Sequence, residues 1–245
     1  MGINFLQMVR NVWDTTKIII QALLIALVIR TCLFQSYNIP SGSMIPTLLV
    51  QDFLFVSKYS YGYSRYSLPF NLPLFSGRIW ASQPQRGDVI VFKQPGNEST
   101  DFIKRLIGLP GDRIQMKEGR LYINDQIVPR ERVEDYNTGW KKVPQYVETL
   151  PGGVKHRILE VNGDVGSLDN TEQYVVPEGH YFMMGDNRDN SEDSRVLSEV
   201  GYVPFVNLVG RAEVIFLSVN EDASAWKMWE WPWTIRSERM FQPIR

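Results

Sequence analysis

The chain has 245 residues, 44% of them hydrophobic and 22% charged, the balance of a folded domain with room for an insertion and not of a disordered chain. A formal net charge of −1 without any basic run excludes a nucleic-acid binder, which needs a basic patch. The single cysteine, Cys32, excludes an intrachain disulfide, and Ile29-Arg30-Thr31 before it is not the small apolar set of a lipoprotein site.

Ile18 to Phe34 reads IIIQALLIALVIRTCLF, with one amide, Gln21, and one charge, Arg30. As a helix this run spans about 25 Å, short of a hydrocarbon core of about 30 Å. Starting the helix near Asn11 closes the gap and sets Trp13 at the headgroups. Arg10 and Lys17 precede the run against one acid, Asp14, so the positive-inside rule predicts a cytoplasmic N-terminus and export of the chain beyond the run. No small-residue cleavage site comes after the run. The reading is a cytoplasmic 1–17 and an uncleaved transmembrane signal anchor over 18–34.

After Phe34 the pattern changes to short β-rich runs bounded by Gly, Pro, Asn and Asp. Asp52 to Val56, Gly87 to Phe92, Asp101 to Ile107, Leu121 to Ile123, Ile127-Val128, Tyr181 to Met184 and Val214 to Leu217 are the predicted strands. Asn124-Asp125 predicts a hairpin turn. These runs indicate a mainly β barrel or sandwich. Residues 113–176 are more polar and less patterned, and are read as an inserted cap between 35–112 and 177–245 of the core. Two segments are apolar for loops: Tyr66 to Phe75, and Trp226 to Trp233, which holds four of the seven tryptophans. Prolines at 69, 73 and 232 oppose central strands. Core packing is one reading of both segments; because Trp favours a membrane–water boundary, contact with the lipid bilayer is the other.

Ser41-Gly42-Ser43, just past the apolar run, suits a sharp turn whose unpaired N–H groups could face a developing oxyanion. Alone, the tripeptide equally describes an ordinary loop. His156 and His180 lack a triad context and read as solvated or structural. A lysine replaces histidine as a base only when neutral, so its pKa of about 10.4 must fall by burial. Phe102 and Leu106 share a strand face with Lys104 and would exclude water from it. By itself, Lys104 also fits a surface strand. The acids from Asp186 to Asp193 fail the EF-hand pattern, with Arg188 at a ligand position, so no metal is expected.

Together and in order, Pro40 to Leu48, Arg86 to Phe92, Phe102 to Asp112 and Met184 to Arg195 resemble bacterial type I signal peptidases. The resemblance implies a Ser–Lys dyad on a signal-peptidase-like β core with an inserted β cap, without cofactor or metal. It makes Ser43 the nucleophile and Lys104 the general base. By the same resemblance the Ser43 N–H and the Ser41 hydroxyl form the oxyanion hole. Ser191 would orient the lysine, Asp193 and Arg195 would pair in support, and Asp186 would steady the loop. Ile39, Pro40, Met44, Leu48, Phe102 and Ile103 match positions lining shallow pockets for small residues. The implied partners are signal peptides of secretory preproteins. The implied setting is a monomer, single-pass in the bacterial inner membrane, with its catalytic domain on the outer, periplasmic side. Many relatives carry tyrosine at the Phe102 position, and some have two spans and a cap disulfide. A self-cleaving Ser–Lys regulator related to SOS repressors would need an N-terminal DNA-binding domain, which is not legible. A non-catalytic, membrane-tethered β scaffold would need neither Ser43 nor Lys104.

Overall fold

The computed structural model describes residues 5–220 and 231–245. Helix α1, Phe5–Val28, runs into a π-helical turn, Ile29–Leu33. Across the two, Arg10–Leu33 forms a 24-residue apolar span with none of its length buried against protein. At 1.5 Å per residue that is about 36 Å, enough to cross a bilayer with its ends among the headgroups. The span begins earlier than Ile18 and ends at Leu33, because Phe34 has already turned to extended backbone (φ −128°, ψ 139°).

The strands are β1 (Phe34–Asn38), β2 (Asp52–Ser57), β3 (Val89–Gln94), β4 (Asn97–Gly108), β5 (Arg113–Lys117), β6 (Arg120–Ile123), β7 (Gln126–Ile127) and β8 (Arg130–Arg132). After them come β9 (Tyr136–Asn137), β10 (Lys142–Val143), β11 (Gln145–Thr149), β12 (Lys155–Leu159), β13 (Tyr174–Val175), β14 (His180–Met184), β15 (Val203–Pro204) and β16 (Leu208–Ser218). Seven of them build one antiparallel sheet in the order β1-β2-β16-β3-β4-β14-β15. The strands between Arg113 and Val175 form three small sheets.

The main sheet alternates its faces as a half-buried ladder should. Val89 and Val91 enter one apolar cluster with Leu54, Val56, Met44 and Leu48, while Ile90, Phe92, Leu106 and Met183 enter another. A third cluster joins Phe182 and Met184 of β14 to Ile114, Met116, Leu121 and Ile123, so the small β5–β6 sheet is packed onto the main one. β3 and β4 pair with Ile90 opposite Lys104 and Phe92 opposite Phe102. Paired residues share a sheet face, which sets an apolar side chain beside the lysine before any loop is considered.

The tail read from Trp226 to Trp233 is only partly covered: Trp226 and Trp229 lie outside the described residues, and Trp233 is exposed. In the other apolar loop Tyr66 and Ser67 are buried, whereas Leu72 and Leu74 face outward.

Candidate active site

A short 3-10 turn, Gly42–Met44, follows the extended Ser41. Met44 is fully buried in the main core and pins the turn, and the Met44 carbonyl accepts from the Leu48 N–H at 2.8 Å. Ser43 is therefore held 7% exposed. As a first-turn residue its N–H has no partner within the turn. From β4, Lys104 reaches it: Nζ lies 2.7 Å from Ser43 Oγ, across 61 positions of sequence. The amine also sits 5.2 Å from the centre of the Phe102 ring. Burial pulls Lys104 down to about 8, although Asp193, Glu192 and Asp186 oppose the shift. Ser41 Oγ lies 3.5 Å from Ser43 Oγ, on the exposed side of the turn.

The segment after β14 clamps this turn from the other side. The Asn187 N–H donates to the Ser43 carbonyl at 3.0 Å, and its Nδ2 donates to the Gly42 carbonyl at 3.0 Å. Gly185 lies so close that a Cβ there would fall 2.6 Å from the Ser43 carbonyl and 2.2 Å from Ser191 Oγ. Only hydrogen fits. Asp193 accepts from the Gly185 N–H at 3.0 Å and holds Arg195 through two contacts of 2.8 Å. Burial alone would raise the Asp193 carboxyl, but Arg195 and these hydrogen bonds hold it below the usual carboxylate range.

Asp186 is tied to two other segments. Fully buried, it accepts two bonds from Arg105, at 2.8 and 2.7 Å, and one from the Thr47 hydroxyl at 2.5 Å. Burial opposes its ionised form, and Arg105, His156 and Thr47 together outweigh burial, so the Asp186 pKa is depressed. His156 is neither solvated nor catalytic in placement. It is buried 3.4 Å from Glu148 and 4.0 Å from Asp186, and burial lowers its pKa. Glu148 in turn forms a two-bond pair with Arg188. His180 lies away from the dyad, its Nδ1 2.9 Å from the Glu178 carbonyl.

A cleft of about 620 Å³ opens onto the dyad, bordered by Pro40, Phe102, Ile103, Ser191 and Glu192. Ile39, Met44 and Leu48 are not on its wall; they are buried in the main core below the serine turn. The bond implied from Ser191 to Lys104 is not formed. The Ser191 hydroxyl has no hydrogen-bond partner among the described residues and packs instead over Gly185, where the missing side chain leaves room. Sequence reasoning missed Arg105, Glu148, Arg188 and Asn187 as parts of this frame. Three of the four lie inside or beside motifs already singled out, but their partners are distant in sequence.

The pattern of the signal peptidase family, peptidase S26, matches residues 12–217. The chain belongs to this family. It is 45% identical over 204 residues to the signal peptidase I of Rickettsia typhi (strain ATCC VR-144 / Wilmington), covering 80% of this chain and 76% of that protein. The signal peptidase I of Rickettsia prowazekii (strain Madrid E) matches with the same identity and coverage. A crystal structure of a signal peptidase I from Enterococcus faecalis V583 aligns with 53% of this chain and 97% of that one, at 30% identity and a TM-score of 0.32. As a member of the family the chain is a serine peptidase, and its apolar helix fits a membrane-anchored enzyme.

Proposed function

We propose that Ser43 and Lys104 carry out the removal of signal peptides from exported preproteins. The observation that carries this reading is the 2.7 Å contact between a buried amine, pulled down to about 8, and a serine hydroxyl at the edge of a cleft. With the amine neutral, the Ser43 hydroxyl donates to Nζ. Attack of Oγ on the scissile carbonyl passes the proton to Lys104, which gives it to the leaving amine. A water deprotonated by the same amine then opens the acyl-enzyme and restores Ser43. The oxyanion receives the Ser43 N–H, with the Ser41 hydroxyl as second donor.

Strand β4 provides a docking edge for the substrate. β14 pairs with it only from Arg105 to Gly108, so the Asp101–Lys104 stretch has β3 on one side and the cleft on the other. An extended peptide can add to that edge, with Phe102, Ile103 and Pro40 around its side chains. Walls this close exclude bulky groups better than they rank small ones, since one methylene is worth about 1–3 kcal/mol.

Arg10 and Lys17 in the N-terminal part of the span, against one acid, Asp14, support an N-terminus in the cytoplasm and a catalytic domain on the outer face of a bacterial inner membrane. Exposed Leu72, Leu74 and Trp80 support further contact with the bilayer surface. Dyad and supporting pairs come from one chain, so a monomer suffices. Cleavage of a preprotein in detergent by wild type beside Lys104→Met and Ser43→Ala tests the dyad. Either variant should lose at least about 10³-fold in kcat while unfolding at the wild-type temperature. Turnover near wild type in either one removes the mechanism.

A further inference from the structure

A second cavity, about 390 Å³, sits where the membrane span meets the main sheet. Leu27 of α1 and Leu68 and Pro69 of the apolar loop give it an apolar side. Its polar side holds three cations, Arg30, Lys58 and Lys93, against one carboxylate, Asp101. Lys93 and Asp101 neutralise each other at 2.9 Å. Lys58 is 3% exposed, and its ammonium makes a single hydrogen bond among the described residues, to the Ser67 carbonyl at 3.0 Å. Arg30 has no ion-pair partner among the described residues. The polar side thus carries an excess of two positive charges, one of them buried and under-coordinated.

Depth in the bilayer identifies what could balance them. Arg10–Leu33 is longer than a hydrocarbon core, and Arg30 lies in its last turn, where phosphates and not acyl chains surround a side chain. We propose that this cavity binds the phosphate headgroup of an anionic phospholipid, with Arg30 and Lys58 on the phosphate and Leu27, Leu68 and Pro69 against the proximal acyl carbons. Burial, and the neighbouring charge of Arg30, pull Lys58 down to about 8; an anion in the cavity offsets both effects. The site is separate from the dyad, although Asp101 borders both cavities. Bound lipid would fix the catalytic domain at one height and rotation over the membrane. The proposal rests on the reading that α1 crosses the bilayer.

Full-length protein in neutral detergent is titrated by calorimetry with dihexanoyl-phosphatidylglycerol, dihexanoyl-phosphatidylcholine and inorganic phosphate, and its flotation with phosphatidylcholine vesicles is measured in parallel. The expected result is saturable binding of the glycerol lipid, weaker binding of the choline lipid, and inorganic phosphate weaker still. Arg30→Gln, a variant of an exposed and unpaired side chain, should weaken the glycerol lipid about fivefold, the effect of about one cation at a membrane surface. Lys93→Gln should weaken it much less, because that charge is already paired. Both variants should float as wild type does. Equal affinity for the two lipids, or an Arg30→Gln protein that binds as wild type, overturns the site. Inorganic phosphate binding as tightly as the lipid replaces it with a free-phosphate site. Failure of the wild type to float overturns the span, and the lipid site with it.

Discussion

Lys104 shows how one side chain is prepared for chemistry by its surroundings. Desolvation is the first cause of its shift to about 8, with acids nearby resisting it. In the proposed mechanism the neutral amine is the base, so kcat/KM should rise with pH and level off above about 8, where ordinary lysine would level off near 10.4. A pH–rate profile on a neutral-flanked substrate reads this directly, and a limb near 10 would mean that the amine is not desolvated. Glu160 shows the opposite case. It is fully buried, its Oε2 has no hydrogen-bond partner among the described residues, and its carboxylate lies within 4.8 Å of those of Asp169 and Asp189. Burial first, and the neighbouring acids against Arg188 and Arg130, raise it from 4.5 to about 8. Between those values the folded state keeps a proton that the unfolded chain has lost, so stability falls as pH rises through that window. Glu160→Gln keeps the shape without the charge. It should raise the unfolding midpoint at pH 9 by a few degrees, for about 1–3 kcal/mol of relieved desolvation, and change little at pH 4. An unchanged midpoint at pH 9 would show that the cluster is already neutralised.

Gly185 links the end of β14 to the serine turn, and its contacts set the tolerance of the site. A methyl at this position meets the Ser43 carbonyl at 2.6 Å, which is backbone and cannot swing away. Gly185→Ala should therefore separate the turn from the 185–187 segment by a fraction of an ångström or more. Since displacement of about 1 Å costs near 10²-fold in rate, kcat should fall about that far while substrate affinity and overall folding change less. A Gly185→Ala enzyme of full activity would show that the clamp is slack. The strands nearest this point were legible because their inward positions are apolar: β2, β4, β14 and β16 contain runs read from sequence, and β3 starts at Val89, two residues into the Gly87 to Phe92 run. The Asn124-Asp125 turn was legible too, and both residues take positive φ, 52° and 63°. β11 and β12 were not. Their inward pair is Glu148 opposite His156, both buried. Alternation of apolar and polar residues is a weak signal where an ionic pair, answered by Arg188 from another loop, takes buried positions beside apolar ones such as Ile158. β1 was hidden differently: Phe34 extends the apolar run of the span, and nothing local marks where helix gives way to strand.

The order of the main sheet, β1-β2-β16-β3-β4-β14-β15, places the strand that leaves the membrane beside β2, which in turn pairs with one from the far end of the chain. No periodicity encodes such pairing, which is why the motifs could be named from sequence while Asp186–Arg105 and Glu148–Arg188 could not. The same order gathers aromatic rings at the foot of the span. Phe34 lies against Tyr59 and Phe55, and Phe55 stacks on Phe216 at 4.3 Å. Leu72, Leu74, Ile79 and Trp80 are also exposed, Leu74 by 73% and Trp80 by 81%. Apolar groups in such number are costly in water and stable at a bilayer surface. Protein lacking residues 1–33 should consequently still bind vesicles, and removal of Leu68 to Phe75 should weaken that binding. Leu72 and Leu74 together expose somewhat more than one leucine side chain, worth about 1.5–3 kcal/mol when fully transferred. The loss should accordingly be about tenfold or more in partition coefficient, measured by vesicle flotation, with near-UV circular dichroism confirming that the core is intact. Absence of flotation by protein lacking residues 1–33 would leave α1 as the contact that holds this domain to the membrane, and equal flotation with and without Leu68 to Phe75 would move the 66–75 loop from lipid to solvent.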